Sequence, residues 1–64
     1  MKDSIIKALR TKYEGEMAAA YANIQVYLVN PAGIGEHPDI IAAIDTMVGE
    51  YAAAQEKLEV LDDF

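Results

Sequence analysis

Few residues in this chain are of types that do chemistry. His37 is the only histidine among 64 residues, set between Glu36 and Pro38 with Asp39 close by. Imidazole and carboxylate together are metal ligands in type. A di-iron centre in a helical bundle, however, asks for Glu-x-x-His on one helix, repeated on a partner, with two further carboxylates. Position 34, three before His37, is Ile, so His37 reads as a helix N-cap or a turn-packing residue. Gly33-Ile34-Gly35 ahead of a helix start has the outline of half a phosphate-binding loop. The third glycine, a preceding strand and any Lys or Arg are missing, and Glu36 and Asp39 would repel a phosphate. Ile34 reads instead as a plug over the end of a helical pair. Close acid pairs such as Glu14/Glu16 and Asp62/Asp63 point to different helix faces and make no acid–base couple. Ser4, Thr11 and Thr46 have no His or Lys base in a supporting pattern. Zero Cys excludes a disulfide framework, a thiolate zinc site and a thiol nucleophile. The expectation is therefore no catalytic residue, no metal and no cofactor.

The elements that carry these residues are legible from punctuation and periodicity. Both prolines and two of the four glycines fall in residues 30–38. Pro31 removes an amide donor and pushes Asn30 out of helical geometry. Gly33 and Gly35 permit a reversal, and Pro38 suits the first position of a new helix, with Asp39 in its first turn. Before the break Ile6, Leu9, Tyr13, Met17, Ala20, Ile24 and Tyr27 recur at spacings of three and four. After it Ile40, Ile44, Met47, Tyr51, Ala54, Leu58 and Leu61 form a strict heptad seam. The first stripe contains an eleven-residue step from Ile6 to Met17, which favours a less regular supercoil. The expected fold is all-α: one domain over residues 1–64, with helix 1 over about 3–29, a turn over about 30–37 and helix 2 over about 38–62. Pro31, Gly33, Ile34, Gly35, His37 and Pro38 are the turn residues.

A short connection makes the two helices antiparallel neighbours. Charge agrees, since residues 1–12 carry a net of +3 and residues 56–64 a net of −3. Each set opposes its own helix dipole, and an antiparallel hairpin lays one beside the other. An internal echo, Gly15-Glu16-Met17-Ala18-Ala19-Ala20 and Gly49-Glu50-Tyr51-Ala52-Ala53-Ala54, places small residues on both helices. With the turn centred near Ile34, residues whose numbers total about 68 stand level, and 15–20 face 48–53. Such side chains let helix axes approach to the near end of the usual range of about 8–10 Å.

Two helices make a ribbon with no enclosed core. Hydrophobic residues are 53% of the chain. A second apolar set (Ile5, Ala18, Val26, Leu28 and Val29 on helix 1; Ile41, Ala43, Val48, Val60 and Phe64 on helix 2) widens each stripe beyond one partner's coverage. Below roughly 70 residues oligomerisation is a usual remedy. The expected assembly is a homodimer of hairpins forming a four-helix bundle, or a higher oligomer. Its expected interface involves Ile6, Leu9, Tyr13, Met17, Ala20, Tyr21, Ile24, Ile44, Met47, Val48, Tyr51 and Leu58. Tyr21, off the main seam, is expected as a dimer contact or, in the alternative, as an exposed anchor for a partner. Tyr13, Tyr27 and Tyr51 read as core-edge residues.

The turn and its flanks also carry a resemblance. Asn23-Ile24-Gln25-Val26-Tyr27-Leu28-Val29-Asn30, then Pro31-Ala32-Gly33-Ile34-Gly35-Glu36-His37-Pro38-Asp39-Ile40, and a closing Leu58-Glu59-Val60-Leu61-Asp62-Asp63-Phe64 are the matching stretches. The chain resembles, over about residues 13–64, short acidic uncharacterised proteins of marine tailed phages of the T4-like type. That resemblance implies a phage origin and nothing catalytic. Met17-Ala18-Ala19-Ala20 departs from it, being apolar where such sequences often carry polar residues.

The net charge is −6, which argues against direct nucleic-acid binding. The longest apolar run, Met17–Ala22, is far short of the roughly 18 residues of a membrane span. The charged N-terminus lacks the apolar core of a secretory signal. These features point to a non-enzymatic, self-associating helical hairpin that binds another phage or host protein in the host cytoplasm. A small structural component of a virion is one alternative. An acidic nucleic-acid mimic is another, because residues 31–64 carry a net of −7. A small ligand held between helices is a further one.

Overall fold

Two helices account for the described secondary structure: α1, Lys2–Val29, and α2, Ile40–Leu61. The computed structural model describes residues 1–29 and 39–64. The expected turn residues Pro31, Gly33, Ile34, Gly35, His37 and Pro38 lie outside that set. Among the described residues there is no strand, and the helices pack along each other.

Local chemistry explains the ends. At the start of α1 the Ile5 amide donates to the Met1 carbonyl at 3.1 Å, and Ser4 Oγ donates to the same oxygen at 2.9 Å. The cap of α2 differs from the expected one. Asp39, not His37, is the N-cap, and its Oδ1 accepts from the Ala42 amide at 3.0 Å. A carboxylate so placed satisfies an orphan donor of the first turn and meets the positive end of the dipole. The helix accordingly begins at Ile40, two residues after the expected start, and Asp39 stands outside the first turn. At the other end the amides of Asp62, Asp63 and Phe64 donate to carbonyls three residues back, at 3.0–3.1 Å. These tighter bonds take up carbonyls that a helix end leaves free.

Burial follows the two stripes. On α1, Ile6, Leu9, Tyr13, Met17, Ile24 and Tyr27 are half-buried and Ala20 is buried. On α2, Ile40, Ile44, Met47, Tyr51 and Leu58 are half-buried, while Ala54 and Leu61 are buried. Ala43 joins this seam, although its position suggested the outer apolar set. Arg10 is also half-buried and spans the helices, donating from Nη2 to Asp62 Oδ1 at 3.3 Å. The rings of Tyr21 and Tyr51 lie 6.4 Å apart at an interplanar angle of 41°. These two pairs establish the antiparallel sense.

They also correct the register. Arg10 with Asp62 and Tyr21 with Tyr51 put residue numbers totalling 72 level with one another. The offset from 68 is one helical turn, a slip that the three-and-four spacing of both stripes accommodates with the same faces in contact. At this register Ala18–Ala20 faces Ala52–Ala54. Ala20 and Ala54 are the two most buried of the described side chains, each 2% exposed, as close axial approach requires. The glycines of the echo take no part in it. A Cβ built at Gly15 or Gly49 meets nothing within 4 Å.

Candidate interaction surfaces

A two-helix ribbon has one inner seam and two broad faces, and each face of this one is grooved. The first groove runs between Tyr21 and Tyr51, floored by Met17 and Leu58 and edged by Glu14 and Ala18. Tyr21 is 56% exposed. Heptad spacing continues this face from Tyr21 to Leu28 on α1. On α2 it joins Ile41, Val48 and Asp62, the last fixed there by Arg10. Toward the turn end the face is apolar, with Ile41 79% exposed. Toward the chain termini it is charged.

The opposite groove, of about 350 Å³, has an alanine floor, Ala19 and Ala20 from α1 against Ala53 and Ala54 from α2. Its walls are polar: Glu16 and Asn23 on one side, Glu50 and Lys57 on the other. Lys57 also borders the next depression along the same face, beside Val60 and Phe64 over Tyr13 and Leu9. The Lys57 Nζ sits 5.4 Å from the Tyr13 ring centroid, and Lys12 Nζ sits 5.8 Å from it. One aromatic ring thus receives two cations, each contact being worth about 0.5–1 kcal/mol at an exposed site. Lys12 also approaches Glu16 Oε1 at 3.5 Å, one turn along α1.

The residues expected at an interface between copies divide into two groups. Ile6, Leu9, Tyr13, Met17, Ala20, Ile24, Ile44, Met47, Tyr51 and Leu58 lie on the seam between α1 and α2 within one chain. Tyr21 and Val48 are exposed on the ribbon's flank. Apart from Ala43, the outer apolar set is where spacing placed it: Ile5, Val26, Leu28, Val29, Ile41, Val48, Val60 and Phe64 are all exposed. The alanines of this groove belong to the echo read from the sequence as a close approach, whereas its polar walls, Glu16, Asn23, Glu50 and Lys57, were not read there as part of a face. A signal was present nonetheless. Ala42, Thr46, Glu50, Ala53, Lys57, Val60 and Phe64 recur at spacings of three and four, a second helical stripe of mixed character.

Among the described residues no group of three or more His, Asp or Glu side chains could hold a metal ion, and His37 lies outside them. No described helix is long and apolar enough to cross a membrane. No family profile, curated protein or solved structure matches the chain.

Proposed function

We propose that this chain is a non-enzymatic interaction module that associates with copies of itself, its hairpins pairing into a four-helix bundle. The observation that carries the reading is unfinished burial. Among the described residues Ala20, Ala54 and Leu61 are the buried hydrophobics, and no large side chain is fully buried. The accessible surface is 4813 Å², against about 4,000 Å² for a folded monomer of this mass. The surplus is about 800 Å², which is one partner's share of a standard-size protein interface. Among the described residues ten large hydrophobics are exposed, including Phe64 at 71%.

A bundle of this kind has its working surface on the outside, where carboxylates dominate. Resemblance to phage proteins supports an accessory role in the host cytoplasm, binding a phage or host protein. Light scattering coupled to size exclusion tests self-association: a dimer or larger species at micromolar concentration is expected, and a strict monomer contradicts it. A second reading rests on the net of −7 over residues 31–64, an acidic surface that occupies the basic groove of a nucleic-acid-binding protein. A complex of that kind weakens steeply with salt, and a salt-insensitive one excludes mimicry.

A further inference from the structure

We infer that the second copy docks antiparallel on the alanine-floored face, along nearly the whole length of the ribbon, with Glu50 of each chain set against the partner's Lys57. The inference rests on the self-association proposed above and adds its face, direction and register.

Charge supplies the first argument. Between Lys12 and Lys57 the chain has seven carboxylates and no Lys or Arg. All of its cations therefore lie at the end opposite the turn. Copies packed side by side in the same direction would bring two acidic halves together. Packed in opposite directions, each acidic half lies along the partner's terminal end, where the five cations offset the carboxylates of residues 1–12 and 56–64 and leave no net charge.

The second argument is the symmetry of the groove walls. Glu50 and Lys57 are seven residues, about 10.5 Å, apart on α2, and their midpoint falls between Ala53 and Ala54. On α1 the midpoint of Glu16 and Asn23 falls between Ala19 and Ala20. In the observed register the two midpoints stand level, within one residue. A two-fold axis crossing the groove at that level sets Glu50 opposite the partner's Lys57 twice and Glu16 opposite the partner's Asn23 twice. Among the described residues the ion pairs are Arg10–Asp62 and Lys12–Glu16, so Glu50 and Lys57 bring unneutralised charges to this meeting. The same operation places exposed Phe64 at the level of the partner's Ala42 and Thr46. These are small side chains, and the Thr46 hydroxyl already donates to its own Ala42 carbonyl at 3.1 Å. Covering it strands no donor.

The tyrosine face fails this symmetry. A full-length antiparallel pairing centred on Tyr21 and Tyr51 opposes Glu14 to Leu28 and Ile41 to Asp62. Only a short overlap centred near Val48 would join its apolar parts.

Single cysteines test the geometry directly, because the chain has none of its own. Near the proposed axis Ala53→Cys meets its own copy, and mild oxidation with diamide should link most of the protein as a dimer. Val48→Cys, on the other face, should remain monomeric on a denaturing gel. Lys57→Glu should raise the dissociation constant about tenfold, and Glu50→Lys/Lys57→Glu should return it to within about threefold. Circular dichroism confirms that each variant is helical. Linking of Val48→Cys in place of Ala53→Cys overturns the face. A persistent dimer in which neither links overturns the direction and register while leaving self-association intact. A monomeric parent protein overturns both.

Discussion

At the residue scale, the informative positions are those where side-chain size is set by one neighbour or by none. Gly15 and Gly49 face open space in mid-helix, so they weaken their helices without serving the packing. Gly15→Ala and Gly49→Ala should each stabilise the hairpin by about 0.5–1 kcal/mol, read from chemical denaturation. Asp39 is the opposite case. Its carboxylate closes the first turn of α2, and Asp39→Ala should cost about 1 kcal/mol and speed amide exchange in residues 40–43. Sequence alone placed His37 there because Pro38 suits a first helical position. Asp39 prevails because its short carboxylate reaches the amide three residues on.

Between the helices, stability turns on how closely the two axes approach. Ala20 and Ala54 are the most buried of the described residues, and they lie where the two axes come closest. Ala20→Leu should cost about 1–3 kcal/mol through overpacking, measured as a lowered midpoint of thermal unfolding. Arg10 and Asp62 cross the same seam, but both are substantially exposed, so a double-mutant cycle should return less than about 1 kcal/mol. Which residues line the seam was legible in advance, since every position of both stripes is buried or half-buried. Their register was not. Hydrophobic period identifies a face, whereas register depends on which side chain enters which gap, and four residues of slip preserve the period nearly unchanged. The polar walls of the alanine groove were illegible for a related reason. Glu50 and Lys57 interrupt the apolar pattern that marks a packed face, and their complementarity emerges only when a second copy is placed.

For the whole molecule, a ribbon 49 × 15 × 14 Å in extent exposes more surface than is typical of a folded monomer of this mass. High apolar content and short length are reconciled if burial is completed between copies. Folding and association should then be coupled, and the thermal midpoint should rise with protein concentration. Sedimentation equilibrium at micromolar concentration is the most direct measurement of that claim. The account predicts a species of twice the 7.0 kDa chain mass or more, dissociating on dilution with loss of helical signal. A single species at the chain mass, fully helical at every concentration, would contradict it.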